Sequence, residues 1–190
     1  MKAYLEATEI IDYHDKDIQT LAKKLSLGMR NDEAIAKNCY EWVRDNIHHS
    51  GDYKDDITTV TASEVLKHGT GWCYAKAHLL AALLRANGIP TGFAYQRLSC
   101  SEYKPDIYCL HGLNWIYLKE YDWYRVDIRG NKEGVNAQFT PPQEQLAFAL
   151  GEHEYDVDGN FTEPLDIVVE VLKKYKNYEE MICHLPDSNK

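Results

Sequence analysis

Residues 69–90 read GTGWCYAKAHLLAALLRANGIP, and this stretch decides the fold. From Cys73 onward the chain is almost wholly apolar through Leu79, Leu80, Leu83 and Leu84, until Asn87, Gly88 and Pro90 stop it. A helix with so little polar face has to be central and buried. Upstream, Ile35, Cys39, Trp42, Val43 and Ile47 recur at helical spacing behind Asn31, a natural N-cap, which predicts an amphipathic helix over 32–47. A shorter helix is expected over 18–25. TASEVLKHG predicts another, with Thr61 or Ser63 near its start and Gly69 past its end. Downstream, 91–98, 108–118 and 123–128 are rich in aromatic and β-branched residues and predict strands. LDIVVEVL (165–172) fits either a further strand or a last helix, and the stretches after Asn131 read as loops wrapping the core. Helices first and strands afterwards indicate an α+β fold, with an antiparallel sheet packed on the buried helix.

The cysteine at the head of that helix carries the chemical argument. A thiol at a helix N-terminus faces amides with no intrahelical partner and the positive end of the backbone dipole, and both favour thiolate. Gly69 and Gly71 allow close backbone approach, and the Cys73 amide is a natural oxyanion donor. A nucleophile needs a base, and the base an orienting partner. If Leu118 pairs with Asp122 in a hairpin, Asp127 falls opposite Leu113 and diagonal to His111, on one face of the sheet. A one-residue slip would separate them.

These residues, in this order, resemble the transglutaminase-like superfamily, most specifically in GWCYAKAHLLAALLRANGIPTG (71–92) and in HGLNWIYL, WYRVDIRGNKEGVNAQF and PPQEQLAF. The resemblance spans about 35–131. It implies a papain-like core with Cys73, His111 and Asp127 as catalytic triad, in which the thiolate attacks a carboxamide or peptide carbonyl. It also implies a side-chain oxyanion donor in the loop NIHHSGD, where His49 is the first candidate and His48 the next. Trp72 is a candidate wall of the acyl pocket. Many members place a small residue and Trp directly after the histidine, and Pro after the aspartate; here Gly112, Leu113, Asn114, Trp115 and Ile128, Arg129 follow.

Composition bounds the rest. A chain of 190 residues with 44% hydrophobic content suits one domain over 1–190, its core at about 35–131. No apolar run reaches the roughly 18 residues of a membrane span, and MKAYLEATEIIDYHDKD is acidic where a signal peptide is apolar. The net charge of −9 gives no field for nucleic acid or anionic membrane. Five cysteines, odd in number and without close pairing, argue against a disulfide framework and a zinc ribbon, and fit a reducing cytoplasm. Adjacent histidines at 48 and 49 diverge and lack a third ligand, so no metal is expected, nor any cofactor. The loosest segments are HHSGDYKDD, SCSEYKPD and HLPDSNK. The expected function is a cysteine-dependent hydrolase or acyl transferase working through a thioester on a peptide or small amide. The alternative is a transglutaminase-like module that binds peptide without cutting it. Oligomeric state is open.

Overall fold

Asp15 opens the first helix, α1 (Lys16–Ser26), by accepting hydrogen bonds from the amides of Asp17 and Ile18. Asn31 caps α2 (Asp32–Asn46) in the same way through the Ala34 amide, and Ala36, Cys39, Tyr40 and Val43 form its buried stripe. A two-residue strand β1 (His48–His49) and one helical turn, α3 (Ser50–Tyr53), follow within the segment HHSGDYKDD, which is therefore structured rather than loose. Thr61 and Glu64 form a reciprocal capping box on α4 (Ala62–His68), and Gly69, at φ 68°, ends it in the left-handed conformation glycine tolerates. Strand β2 (Thr70–Gly71) then leads directly into α5 (Cys73–Ala86).

Every residue of α5 from Cys73 to Arg85 is buried. The helix packs against α1, α2 and α4 and also against a sheet built from β3 (Thr91–Ser99), β4 (Tyr108–Leu118), β5 (Asp122–Val126) and β6 (Tyr155–Phe161). The sheet is antiparallel in the order β5-β4-β3-β6. Its decisive pairing is the β4–β5 hairpin, registered Leu118↔Asp122 through Asn114↔Val126. That register, continued one step, sets Asp127 beside Leu113 on the face that carries His111. Helices α6 (Asp166–Lys174) and α7 (Tyr178–Met181) follow the sheet. LDIVVEVL is thus helical, with Val168 and Leu172 turned inward at helical spacing. The structure is a computed structural model and describes residues 1–100 and 107–187.

Two expectations are corrected. Strand β6 lies in a stretch read as a wrapping loop. Its sequence YDVDGNF holds two aspartates and Gly159 at φ 128°, and it pairs irregularly on the outer edge of β3, where polar residues are tolerated. Cys100 and Cys109 form a disulfide, with Cα atoms 6.2 Å apart. They sit diagonally across the β3–β4 pairing, Leu98 being the partner of Cys109, so their nine-residue spacing becomes a cross-strand neighbourhood. Cys39, Cys73 and Cys183 are free thiols. The remainder of SCSEYKPD, 101–106, and the last three residues, 188–190, lie outside the described residues. Among the described residues no helix is long and apolar enough to cross a membrane.

Candidate active site

Cys73 is the first residue of α5, and Trp72 before it caps nothing with its side chain, so the first-turn amides stay open toward the thiol. Opposite stands β4, where the Gly112 amide donates to the Cys73 Sγ at 3.4 Å. One residue earlier, His111 bonds through Nε2 to the Asp127 Oδ2 at 2.8 Å, which leaves Nδ1 for the thiol. Asp127 is fully buried. Its Oδ2 also accepts from the Ala147 amide and its Oδ1 from the Arg129 amide, both at 3.0 Å, so the carboxylate is fixed on both oxygens.

The electrostatics follow from this burial. Desolvation opposes an imidazolium at His111, but the Asp127 charge, then the Cys73 sulfur, and hydrogen bonds from both outweigh it and bring His111 up to about 10. Burial likewise opposes the Asp127 carboxylate, and the His111 charge and hydrogen bond overcome it, holding the group below its ordinary value. The three residues read from the sequence are brought together.

His49 joins them through the short parallel pairing β1–β2, which sets His49 opposite Gly71, two residues before Cys73. It lines the same cavity as Cys73 and His111. Burial first, and then the Arg129 charge, push its pKa well below the ordinary value, so the ring is neutral at pH 7. Among the described residues its Nδ1 makes no hydrogen bond, and it lies 3.8 Å from Asp52. His48 parts from it and stacks on Tyr53 at 3.9 Å. Trp72 lines the cavity too, edge-on to His49 at 5.7 Å and parallel to Tyr178 at 6.2 Å.

A model of the transglutaminase-like superfamily matches residues 19–128, from α1 to just past Asp127. The chain belongs to the transglutaminase-like superfamily. A search of curated proteins found no match. Among solved structures, the chain is similar to a "Putative Cysteine Protease from Cytophaga hutchinsonii", with 22% identity and a TM-score of 0.52, over 66% of this chain and 40% of that one. It is also similar to a "putative protease from Parabacteroides distasonis", at 14% identity and a TM-score of 0.44, over 73% of this chain and 31% of that one. The chain therefore spans less than half of either protein, and the first likeness concerns the fold alone.

Further residues of this transglutaminase-like site lie outside the set assigned from the sequence. The Arg129 guanidinium pairs bidentately with Asp52, at 2.8 and 2.9 Å, and lies over the Phe148 ring, whose edge meets His111 at 5.3 Å. Burial raises the Asp52 pKa, but the Arg129 and Lys132 hydrogen bonds prevail and lower it to about 2. Lys76, one turn into α5 and fully buried, donates to the Ile47 carbonyl and to that of Arg44, and so ties the loop holding His49 to the helix that begins at Cys73. Desolvation brings its amine down to about 7. A lysine inside a largely apolar helix was the available signal for this role. Tyr178, Phe148 and Leu185 gave none, because their part depends on loops folding back from distant sequence.

Proposed function

We propose that this transglutaminase-like chain is a cysteine-dependent hydrolase or acyl transferase that acts on an amide or peptide carbonyl. The observation that carries the reading is the buried His111–Asp127 pair set beside a free thiol at the first position of a helix. In this reading the Cys73 sulfur attacks the carbonyl carbon, forming a C–S bond while the carbonyl π pair moves onto oxygen. The Cys73 amide and neutral His49 donate to that oxygen, and a neutral ring donates without needing a counter-charge. His111, charged by the thiol proton, passes it to the leaving amine as the C–N bond breaks, giving a thioester. Water or an amine, deprotonated by His111, then attacks the thioester and releases Cys73. Asp127 keeps the imidazole oriented and its cation stabilised throughout.

The test is acylation of Cys73 by p-nitrophenyl acetate, followed by intact mass. The reading requires a covalent adduct of acetyl mass on Cys73 that turns over in the wild type and fails to form in His111→Ala. An adduct formed equally in both would refute it.

A further inference from the structure

The chain beyond α7 returns to the catalytic cleft. Leu185 lines the cavity together with Cys73, His111 and Trp72. The Pro186 carbonyl accepts the Leu110 amide at 2.7 Å, and Asp187 pairs bidentately with Arg97 at 2.7 and 2.9 Å. The Arg97 and Asp187 side chains are only 13% and 10% exposed. Arg97 is moreover braced over the Tyr108 ring at 4.3 Å and faces that of Tyr155 at 5.8 Å, so its fork is held ready for a carboxylate.

The edge on which this segment lies is informative. Strand β5 pairs with β4 only from Asn114 onward, so the earlier part of β4 has an edge that β5 does not cover. On that edge two amides, one dipeptide apart, point the same way: Gly112 donates to the Cys73 sulfur and Leu110 donates to Pro186. A carbonyl anchored at Leu110 therefore stands roughly 7 Å along the strand from the nucleophile. Pro186 offers only an acceptor at this point, as the geometry asks.

We propose that Leu110, Arg97 and the cavity wall form a substrate subsite for an extended peptide with an apolar residue, a main-chain carbonyl and an acidic residue in succession, and that residues 185–187 fill it as an intramolecular occupant. This rests on the cleft being the substrate groove described above, and deepens that reading in two ways. It names the substrate class, an acidic extended peptide added to a strand edge. It also makes the Arg97–Asp187 pair a latch on access to Cys73.

The experiment uses Asp187→Ala in the full chain; the changed side chain lies beyond the last helix, and Met181 stays docked. Hydrogen exchange of the Leu110 amide is followed by NMR, with the blocked peptide acetyl-His-Leu-Pro-Asp-amide as probe and its Asp→Lys counterpart as control. The expected result is exchange at least tenfold faster at Leu110 in Asp187→Ala than in wild type, slowed again by the acidic peptide and unaffected by the control. Cys73 labelling by iodoacetamide should rise about fivefold in the variant and be suppressed by the same peptide. Unchanged protection at Leu110, or protection that neither peptide or both peptides restore, would overturn the proposal. Repeating the exchange experiment in His111→Ala separates the two readings: a dead nucleophile there leaves the subsite intact, whereas a failed subsite leaves the wild-type acylation test untouched.

Discussion

The Gly112 amide points at the Cys73 sulfur from 3.4 Å, out of the strand that carries His111 one residue before. Cys73 and His111 are therefore set relative to each other by the packing of the first turn of α5 on β4. A Cβ at Gly112 would lie 3.1 Å from Tyr74 Cα and 3.2 Å from Tyr74 N, backbone atoms that cannot turn away.

Gly112→Ala should accordingly lift the helix start from the strand. The expected cost is about 1–3 kcal/mol of stability, as for other overpacked sites, with Cys73 acylation lost more than proportionally. Urea denaturation alongside the acylation assay checks both. Wild-type rates at reduced stability would mean that the contact matters for folding alone.

Asp127→Asn keeps one acceptor, on the side either of the Arg129 amide or of the Ala147 amide and His111, and turns an NH2 group toward the other side. The fold should survive, with turnover lower by on the order of 10⁴-fold, the scale known for such a change in a serine triad. Circular dichroism and single-turnover deacylation report the two halves. Undiminished turnover would remove Asp127 from the mechanism.

His49→Ala should leave the reactivity of Cys73 toward iodoacetamide intact while slowing acylation on the order of 10²–10³-fold, the usual loss for one oxyanion donor. The contrast is diagnostic because alkylation builds no oxyanion. An equal loss in both reactions would assign His49 to the support of Cys73 instead.

Two buried groups give stability opposite dependences on pH. The His111 pKa, raised to about 10, stabilises the fold fully below its unfolded value of about 6.5, and this contribution is lost as pH rises toward 10. Lys76, lowered to about 7 from 10.5, is destabilising below pH 7 and relieves that penalty as pH rises to 10.5. Across pH 7–10 the slopes oppose each other. Lys76→Met should therefore uncover a fall in stability with pH over this window, steeper than wild type by on the order of 1 kcal/mol per pH unit. Denaturant melts at several pH values measure it, and parallel slopes would contradict the buried-amine assignment.

What the sequence revealed and what it hid divide along physical lines. The α5 helix was legible because an almost wholly apolar run of that length has one solution. Asn31 was read as the cap of α2 and Gly69 as the stop of α4, with Thr61 one of two candidates for the start of α4. The β4–β5 register was legible only as a condition, a three-residue loop with Leu118 opposite Asp122; the hairpin meets it, and with it His111 and Asp127 share a face. Strand β6 was not, since an edge strand with one pairing partner needs little apolar patterning. The Cys100–Cys109 pairing was hidden in the β3–β4 register, which no local signal sets. His49 could be named only from family resemblance, because its place depends on a two-residue parallel pairing with Gly71. The clamp of Arg129 on Asp52 spans 77 residues of sequence and left no trace in either segment.

The central claim is that Cys73 and His111 act as one nucleophilic pair, and the rate of Cys73 alkylation against pH tests it most directly, read by peptide mapping in wild type and His111→Ala. The account predicts that wild-type Cys73 is still labelled rapidly at pH 6 and that His111→Ala loses at least tenfold of that rate. Slow labelling at pH 6, the same in both proteins, would contradict it and leave Cys73 as a packed thiol at the head of a buried helix.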